Sequence, residues 1–451
     1  MPLSHRTEAQ DLLSIQEKAF AYFLSESHPE TGLVRDKNAP GWPASIAATG
    51  LALACYPVAV ERGMMKAEAA VERTLAVLRF FCNSKQGPEA DATGHHGFYY
   101  HFLDMTTGAR AWQCELSTVD SAFLLAGMLT AAAYFSDDRA EHREIRRLAE
   151  ALYLRVDWPW MLSESGTIRH GWKPESGFLG FCWEGYDEAL LLYLLALGSP
   201  SHPIPIASYQ AWTSTYEWKR CYDLDYLYCG PLFTHQLSHV WIDFRGIQDA
   251  FMQAQGIDYT ENSRRASLIQ QRYATDNPLG FKGYGAQAWG ITASDGPGPS
   301  TRRVDGIVRR FYDYEGRGAP YGLDDGTLSP WAVVASLTFA PEIVLPAIHH
   351  YVHTLQIHDC HRYGFRASFN ATYPGGDSRC GWISPWHFGL NLGPIMLMTE
   401  NHLSGMVWQL SKNCPWFVAG LRRAGFRGGW LGAVEQSIAT EVAPTNSGRP
   451  G

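Results

Sequence analysis

Apolar residues recur at intervals of about 3.6 residues in segment after segment of this chain, while strand-like alternation is scarce and short. That pattern restricts the fold to a mainly helical one. In residues 8–24 the apolar face is Leu12, Leu13, Ile15, Ala19, Phe20 and Phe23. Similar stretches are predicted at 44–60 and 65–81, with Gly63 as a stop between them. Residues 117–135 and 141–154 form a further pair, broken by a Ser136-Asp137-Asp138 turn. Residues 183–197 end at Gly198, Ser199 and Pro200. Helical runs are also predicted at 235–252, 262–273, 341–355, 394–410 and 415–424.

Paired helices of about 15 residues, joined by long Gly- and Pro-rich aromatic loops, suit a toroid of α-hairpins. In an (α/α) barrel of that kind one rim carries the long loops, and the loops build the site. The segments 166–180 and 280–327 are the largest loop candidates. No internal linker divides the chain, so a single domain over 1–442 is expected, with 443–451 as a frayed tail.

Composition narrows the function. Trp, Tyr and Phe number 16, 22 and 21 and make up 13% of the chain, against 46% hydrophobic and 18% charged residues. Rings in that number fit either an aromatic-rich core or a sugar cleft, where pyranose C–H faces lie against aromatic planes. A net charge of −8 with no basic block argues against a nucleic-acid surface. No apolar stretch approaches a membrane span, and the first residues carry no signal-peptide pattern. A cytoplasmic location is therefore expected, or a periplasmic one if a leader has been removed. The nine cysteines are scattered without a CxxC pair, as free thiols in a reducing compartment would be.

Three stretches carry candidate chemistry. In WEGYDE at 183–188, a helix starting near Trp183 would put Glu184 and Glu188 on one face, four residues apart. Like charges so placed raise one pKa and suit a general acid, with Glu188 the first choice over the plainer reading that the helix dipole favours acidic residues in a first turn. Trp183 and Tyr186 flank them, and Trp172 lies in the loop before. In ELSTVD at 115–120, Ser117 and Asp120 read as a helix cap, with Glu115 in the loop just ahead and Asp120 in the first turn. In WGITASDGP at 289–297, Trp289 and Asp295 have the make-up of a sugar-subsite wall, and Asp325 in DDGT at 324–327 is a similar candidate. Trp386 and Asn391 complete the candidate substrate contacts. No dinucleotide, phosphate-loop, nucleophile-elbow or HExxH motif is present, so no cofactor is expected. His349, His350 and His353 read as a solvated helix face rather than a metal site.

Taken together, several strings resemble one known family. They are ELSTVD at 115–120, WKPE at 172–175, GYDEA at 185–189 running into LGSPSHP at 197–203, and GPLFTH at 230–235. WIDFRG at 241–246, DY at 258–259, NSR at 262–264, the 289–297 and 325–327 strings, and EN at 400–401 continue the series. In order and spacing, over roughly residues 8–430, the chain resembles the glucoamylase-like family of endo-β-1,2-glucanases, which includes a domain of cyclic β-1,2-glucan synthases. The resemblance implies an (α/α)6 barrel, no metal requirement, and inverting hydrolysis of β-1,2-linked glucose chains. It also implies that Glu188 is an essential acid. One carboxyl would protonate the leaving oxygen while another, about 6.5–9.5 Å away, activates water.

Two positions depart from the family pattern. Ala367 and Asn391 stand where carboxylates are expected, in an Asp-Ala-Phe-Asn and an Asp-Gln-Gly-Pro string respectively. Glu115, Asp120, Glu184, Glu188 and Asp295 persist. The expectation is therefore a hydrolase or transglycosylase of β-1,2-glucan or a related oligosaccharide. A non-catalytic glucan-binding protein on the same scaffold is the alternative, and a toroidal lyase or epimerase a weaker third. Oligomeric state is not legible.

Overall fold

In the computed structural model, residues 7–375 and 379–432 are described, so the expected 443–451 tail lies outside the described residues. Fourteen α-helices are found among them. They are α1 (Glu8–Ser25), α2 (Ile46–Glu61), α3 (Ala67–Asn83), α4 (Thr118–Tyr134), α5 (Ala140–Leu154), α6 (Leu190–Gly198) and α7 (Ile206–Thr213). The rest are α8 (Ala250–Gln255), α9 (Tyr259–Asp276), α10 (Pro330–Val334), α11 (Pro341–His349), α12 (Gly389–Leu403), α13 (Met406–Lys412) and α14 (Pro415–Arg423). The strands are two to five residues long and form small antiparallel sheets in the connections.

The helices fall into two kinds. α2, α4, α6 and α12 are buried almost all round, whereas α3 and α5 bury one face only. A helix apolar on every side needs neighbours on every side. α2 packs on both α4 and α12, α4 packs on α6, and α10 packs on α12. Between α6 and α10 runs a segment of two single 3₁₀ turns, Leu232–His235 and Leu237–Val240. Ser238 Oγ accepts the Leu191 N–H at 3.1 Å, and Gln236 Nε2 donates to Ser336 Oγ at 2.8 Å. Outside these lie α1 against α12, α3 against α2, α5 against α4, and α11 against α10 and α1.

Close approach of α2 and α4 requires glycine. A Cβ on Gly127 would come within 1.8 Å of the Gly50 carbonyl oxygen, and one on Gly50 within 2.4 Å of the Phe123 oxygen. Ser45 and Ser117 cap these two helices, each accepting an N–H from the first turn.

The connections are unequal in a way that places the site. Those entering α2, α4, α6, α10 and α12 at their N-termini are long, at 26–45, 84–117, 155–189, 277–329 and 355–388. Those leaving α2, α4, α6 and α10 are short turns. The long loops therefore collect at the N-terminal ends of the inner helices.

Three expected helices differ. Residues 183–189 are irregular, because Gly185 sits at φ +78° and its N–H goes to Thr215 Oγ1 at 2.6 Å. The run at 235–252 is broken because its carbonyls are taken by side chains: Trp408 Nε1 donates to His239 O at 2.7 Å, Asn401 Nδ2 to Val240 O at 2.9 Å, and Trp430 Nε1 to Asp243 O at 2.8 Å. The run at 394–410 starts earlier, at Gly389, and is split into α12 and α13 by Gly405 at φ +71°. Cys55, Cys82, Cys114, Cys182, Cys221, Cys229, Cys360 and Cys414 are free thiols. No helix among the described residues is long and apolar enough to cross a membrane.

Candidate active site

Every long loop contributes to one cavity of about 330 Å³. Its polar lining is Asp36, Lys37, His101, Asp120, Glu188 and Asn391, and its apolar lining includes Trp42, Phe102, Trp112, Tyr314, Trp331 and Phe388. A larger surface groove of about 720 Å³ lies beside α3, but its two basic side chains pair with carboxylates, Lys85 with Asp91 and Arg79 with Glu144, each at 2.7 Å.

Glu188 is delivered just ahead of α6 by the tight turn at Gly185. Asp187 Oδ1 accepts the Ala189 N–H at 2.9 Å, and Trp183 Nε1 donates to Thr118 Oγ1 at 2.9 Å, tying this loop to the start of α4. Burial, and then the charges of Asp120 and Asp187, push the Glu188 carboxyl up to about 8. It is therefore protonated at neutral pH and able to donate. The expected i,i+4 partner, Glu184, is exposed and plays no part in that shift, because the chain is not helical there.

Asp120 occupies the first turn of α4 as expected. Ser117 Oγ accepts its N–H at 3.2 Å and donates to its Oδ2 at 2.5 Å. His101, from the same loop as Glu115, has Nδ1 2.9 Å from Glu115 Oε1 and Nε2 3.6 Å from Asp120 Oδ2. Burial would lower its pKa, but the Asp120 charge, the Glu115 hydrogen bond and charge, and Asp36 raise it to about 9. His101 is an imidazolium at neutral pH. Burial likewise acts to raise Glu115, but the bond and charge of His101 prevail and hold it below the usual carboxylate range. Glu115 thus reaches the cavity through His101.

Asp36 completes the carboxyls lining the cavity. Its Oδ2 accepts from Trp42 Nε1 at 3.1 Å, and burial raises it to about 6 against the lowering effect of His101, Trp42 and Lys37. Lys37 Nζ stands 4.0 Å from the Trp42 ring, with Phe388 at 5.3 Å and Trp386 at 5.6 Å. Trp42 meets Trp112 edge-on at 4.7 Å, and Trp112 remains 56% exposed on a left-handed backbone (φ +53°). Tyr314 caps the far side, 6.0 Å from Phe388. Half-open aromatic walls around a polar floor are what a sugar ring requires.

The other expected contacts divide. Asn391 lines the cavity and Trp386 faces Lys37. Asp295 sits behind the wall, its Oδ2 accepting from Ser384 Oγ at 2.6 Å, and burial raises its pKa. Asp325 is wholly buried and paired with Arg317 at 2.8 and 2.9 Å; Arg317 in turn binds the carbonyls of Ser294, Tyr312 and Asp313. Asp325 therefore holds the loop that carries Tyr314, and its expected place in a subsite is corrected to a structural one. Trp183 and Tyr186 are buried, the latter among Tyr216, His235 and Tyr259. Trp289 is fully buried beside Tyr351. Trp172 packs with Trp160 and His95 in a small sheet, outside the cavity lining. Their rings pack into the interior or against neighbouring loops. His353 Nε2 lies 2.7 Å from Asp11 Oδ2, and among the described residues no group of three or more His, Cys, Asp or Glu is arranged to hold a metal.

Residues 180–415, just over half the chain, match the family described as "Putative glucoamylase". The chain belongs to this glucoamylase-like family. A curated relative, the exo β-1,2-glucooligosaccharide sophorohydrolase (non-reducing end) of Parabacteroides distasonis, is 27% identical over 452 residues, covering 92% of this chain. The chain spans 58% of that relative's length. A "putative glucoamylase" structure from Bacteroides uniformis aligns with a TM-score of 0.83 at 28% identity, over 95% of this chain and 100% of that one. The endo-β-1,2-glucanase from Chitinophaga pinensis, in complex with sophorotriose and glucose, aligns with a TM-score of 0.81 at 25% identity, over 94% and 99% of the two chains.

Proposed function

We propose that this chain is a glycoside hydrolase or transglycosylase acting on β-1,2-linked glucan or a related oligosaccharide, on an (α/α)6 toroid. The toroid reading rests on the succession of neighbours from α12 through α2, α4, α6, the 232–240 segment and α10 back to α12, with a second layer outside. The substrate class is supported by the likeness to proteins named for β-1,2-glucans.

The activity rests on one observation above all: the Glu188 carboxyl lines a cavity walled by aromatic rings and is held in its protonated form. In that state it gives its proton to the glycosidic oxygen as the C1–O bond breaks, a contribution of about 10²–10⁴-fold to rate. The imidazolium of His101 favours ionisation of Asp36 and Glu115 around it. Asn391 on the cavity wall, and the buried Ala367, favour a second reading in which the scaffold binds glucan without turnover. Incubation with linear β-1,2-glucan and mass-spectrometric product analysis separates the two. New chain lengths are expected, whereas binding with no product would leave only the second reading.

A further inference from the structure

We infer that Asp36 is the second reacting carboxylate of this site, the base that activates water opposite Glu188. The inference rests on the hydrolytic reading above.

Among the described residues three carboxyls line the cavity: Asp36, Asp120 and Glu188. They come from loops leading into consecutive inner helices, Asp36 before α2, Asp120 at the start of α4 and Glu188 before α6. Asp120 is the middle one. An acid and base that admit a water between them must stand apart, by about 6.5–9.5 Å in inverting enzymes. Asp36 and Glu188 are the outer pair, on loops that enter the first and third of three consecutive inner helices. Asp120 is instead engaged locally, by the Ser117 hydroxyl and by His101, and its charge only adds to the burial that raises Glu188.

Asp36 is also fixed in position. Its carbonyl accepts from the Gly389 N–H at 2.9 Å and the Tyr22 hydroxyl at 3.1 Å, and Lys37 pairs with Phe388 across an antiparallel bridge. That bridge straps it to the start of α12, so its carboxyl and the Asn391 amide line the same cavity. Trp42 holds Oδ2, while Oδ1 takes no hydrogen bond among the described residues. A base occupies this wall although α12 itself presents only an amide.

In the step so assigned, an Asp36 oxygen takes one proton of a water as that water's oxygen bonds to C1. The C1–O bond breaks, its electron pair leaves with the departing oxygen, and Glu188 protonates that oxygen. Exchange with solvent restores both carboxyls.

The test uses the full chain, a β-1,2-glucooligosaccharide the wild type cleaves, and sodium azide as the probe. Asp36→Asn is expected to lose about 10²–10⁴-fold in kcat while calorimetry finds oligosaccharide affinity within about threefold of wild type. Asp36→Ala with azide is expected to release an α-glucosyl azide, the inverted product of an external nucleophile at the vacated place. Near-wild-type turnover by Asp36→Asn, loss of its binding along with turnover, or azide rescue of Asp120→Ala but not Asp36→Ala would each overturn the assignment. Glu188→Gln assayed alongside shows whether the acid role stands independently of that result. A wild-type protein that binds but never cleaves would remove the hydrolytic reading and this assignment together.

Discussion

His101 Nδ1 lies 2.9 Å from Glu115 Oε1, and through this contact a residue of the helix-capping stretch reaches the cavity. The imidazolium favours the ionised forms of Asp36 and Glu188, opposing the burial that raises both. With an acid near 8 and a base near 6, kcat/KM should be bell-shaped, falling below about pH 6 and above about pH 8. Replacing His101 with Gln removes a positive charge that lowers both pKa values. Both limbs should then move upward, by about one unit. A pH–rate profile of His101→Gln with the bell unmoved, or moved toward acid, would contradict this electrostatic role.

Trp112 is exposed and stacked edge-on against Trp42, so it contributes little to the core. Trp112→Ala should leave the unfolding midpoint near wild type and weaken oligosaccharide binding by about 1 kcal/mol. Calorimetric titration on a Glu188→Gln background measures this without turnover. Unchanged affinity would remove Trp112 from the sugar path.

Asp325 and Arg317 form a fully buried pair that braces the loop carrying Tyr314. Asp325→Asn leaves a buried guanidinium without its counter-charge and should cost about 3–5 kcal/mol of stability. Chemical denaturation checks it. If the variant raises KM with its midpoint unmoved, Asp325 touches sugar after all.

What was legible in the sequence follows from how local each signal is. α1 and α5 are readable from a one-sided apolar period, and α2 and α4 from long apolar runs that begin at a serine cap, as with Ser117 over Asp120. Glu115 and Asp120 are legible as candidates because they flank that cap. Glu188 stands out in the sequence as a candidate, but with the wrong local geometry: burial raises it first, and the charge that adds to this belongs to Asp120 on another loop, not to Glu184 on the same helix face. Asp36, His101, Lys37 and Tyr314 were missed because each lies in irregular chain and acquires its partners only through tertiary contacts. Trp183, Tyr186 and Trp289 read as subsite rings because a loop aromatic looks alike in sequence whether it faces inward or outward.

The central claim is that Glu188 donates the proton to the departing oxygen. The direct measurement compares single-turnover cleavage of a β-1,2-glucooligosaccharide by the wild type and Glu188→Gln, with binding measured in parallel. The amide keeps the shape of the carboxyl and removes its proton. The expected result is unchanged binding, a loss of at least about 10²-fold in rate, and disappearance of the alkaline limb near pH 8. Cleavage by Glu188→Gln at close to the wild-type rate would contradict the account and place the acid elsewhere in the cavity.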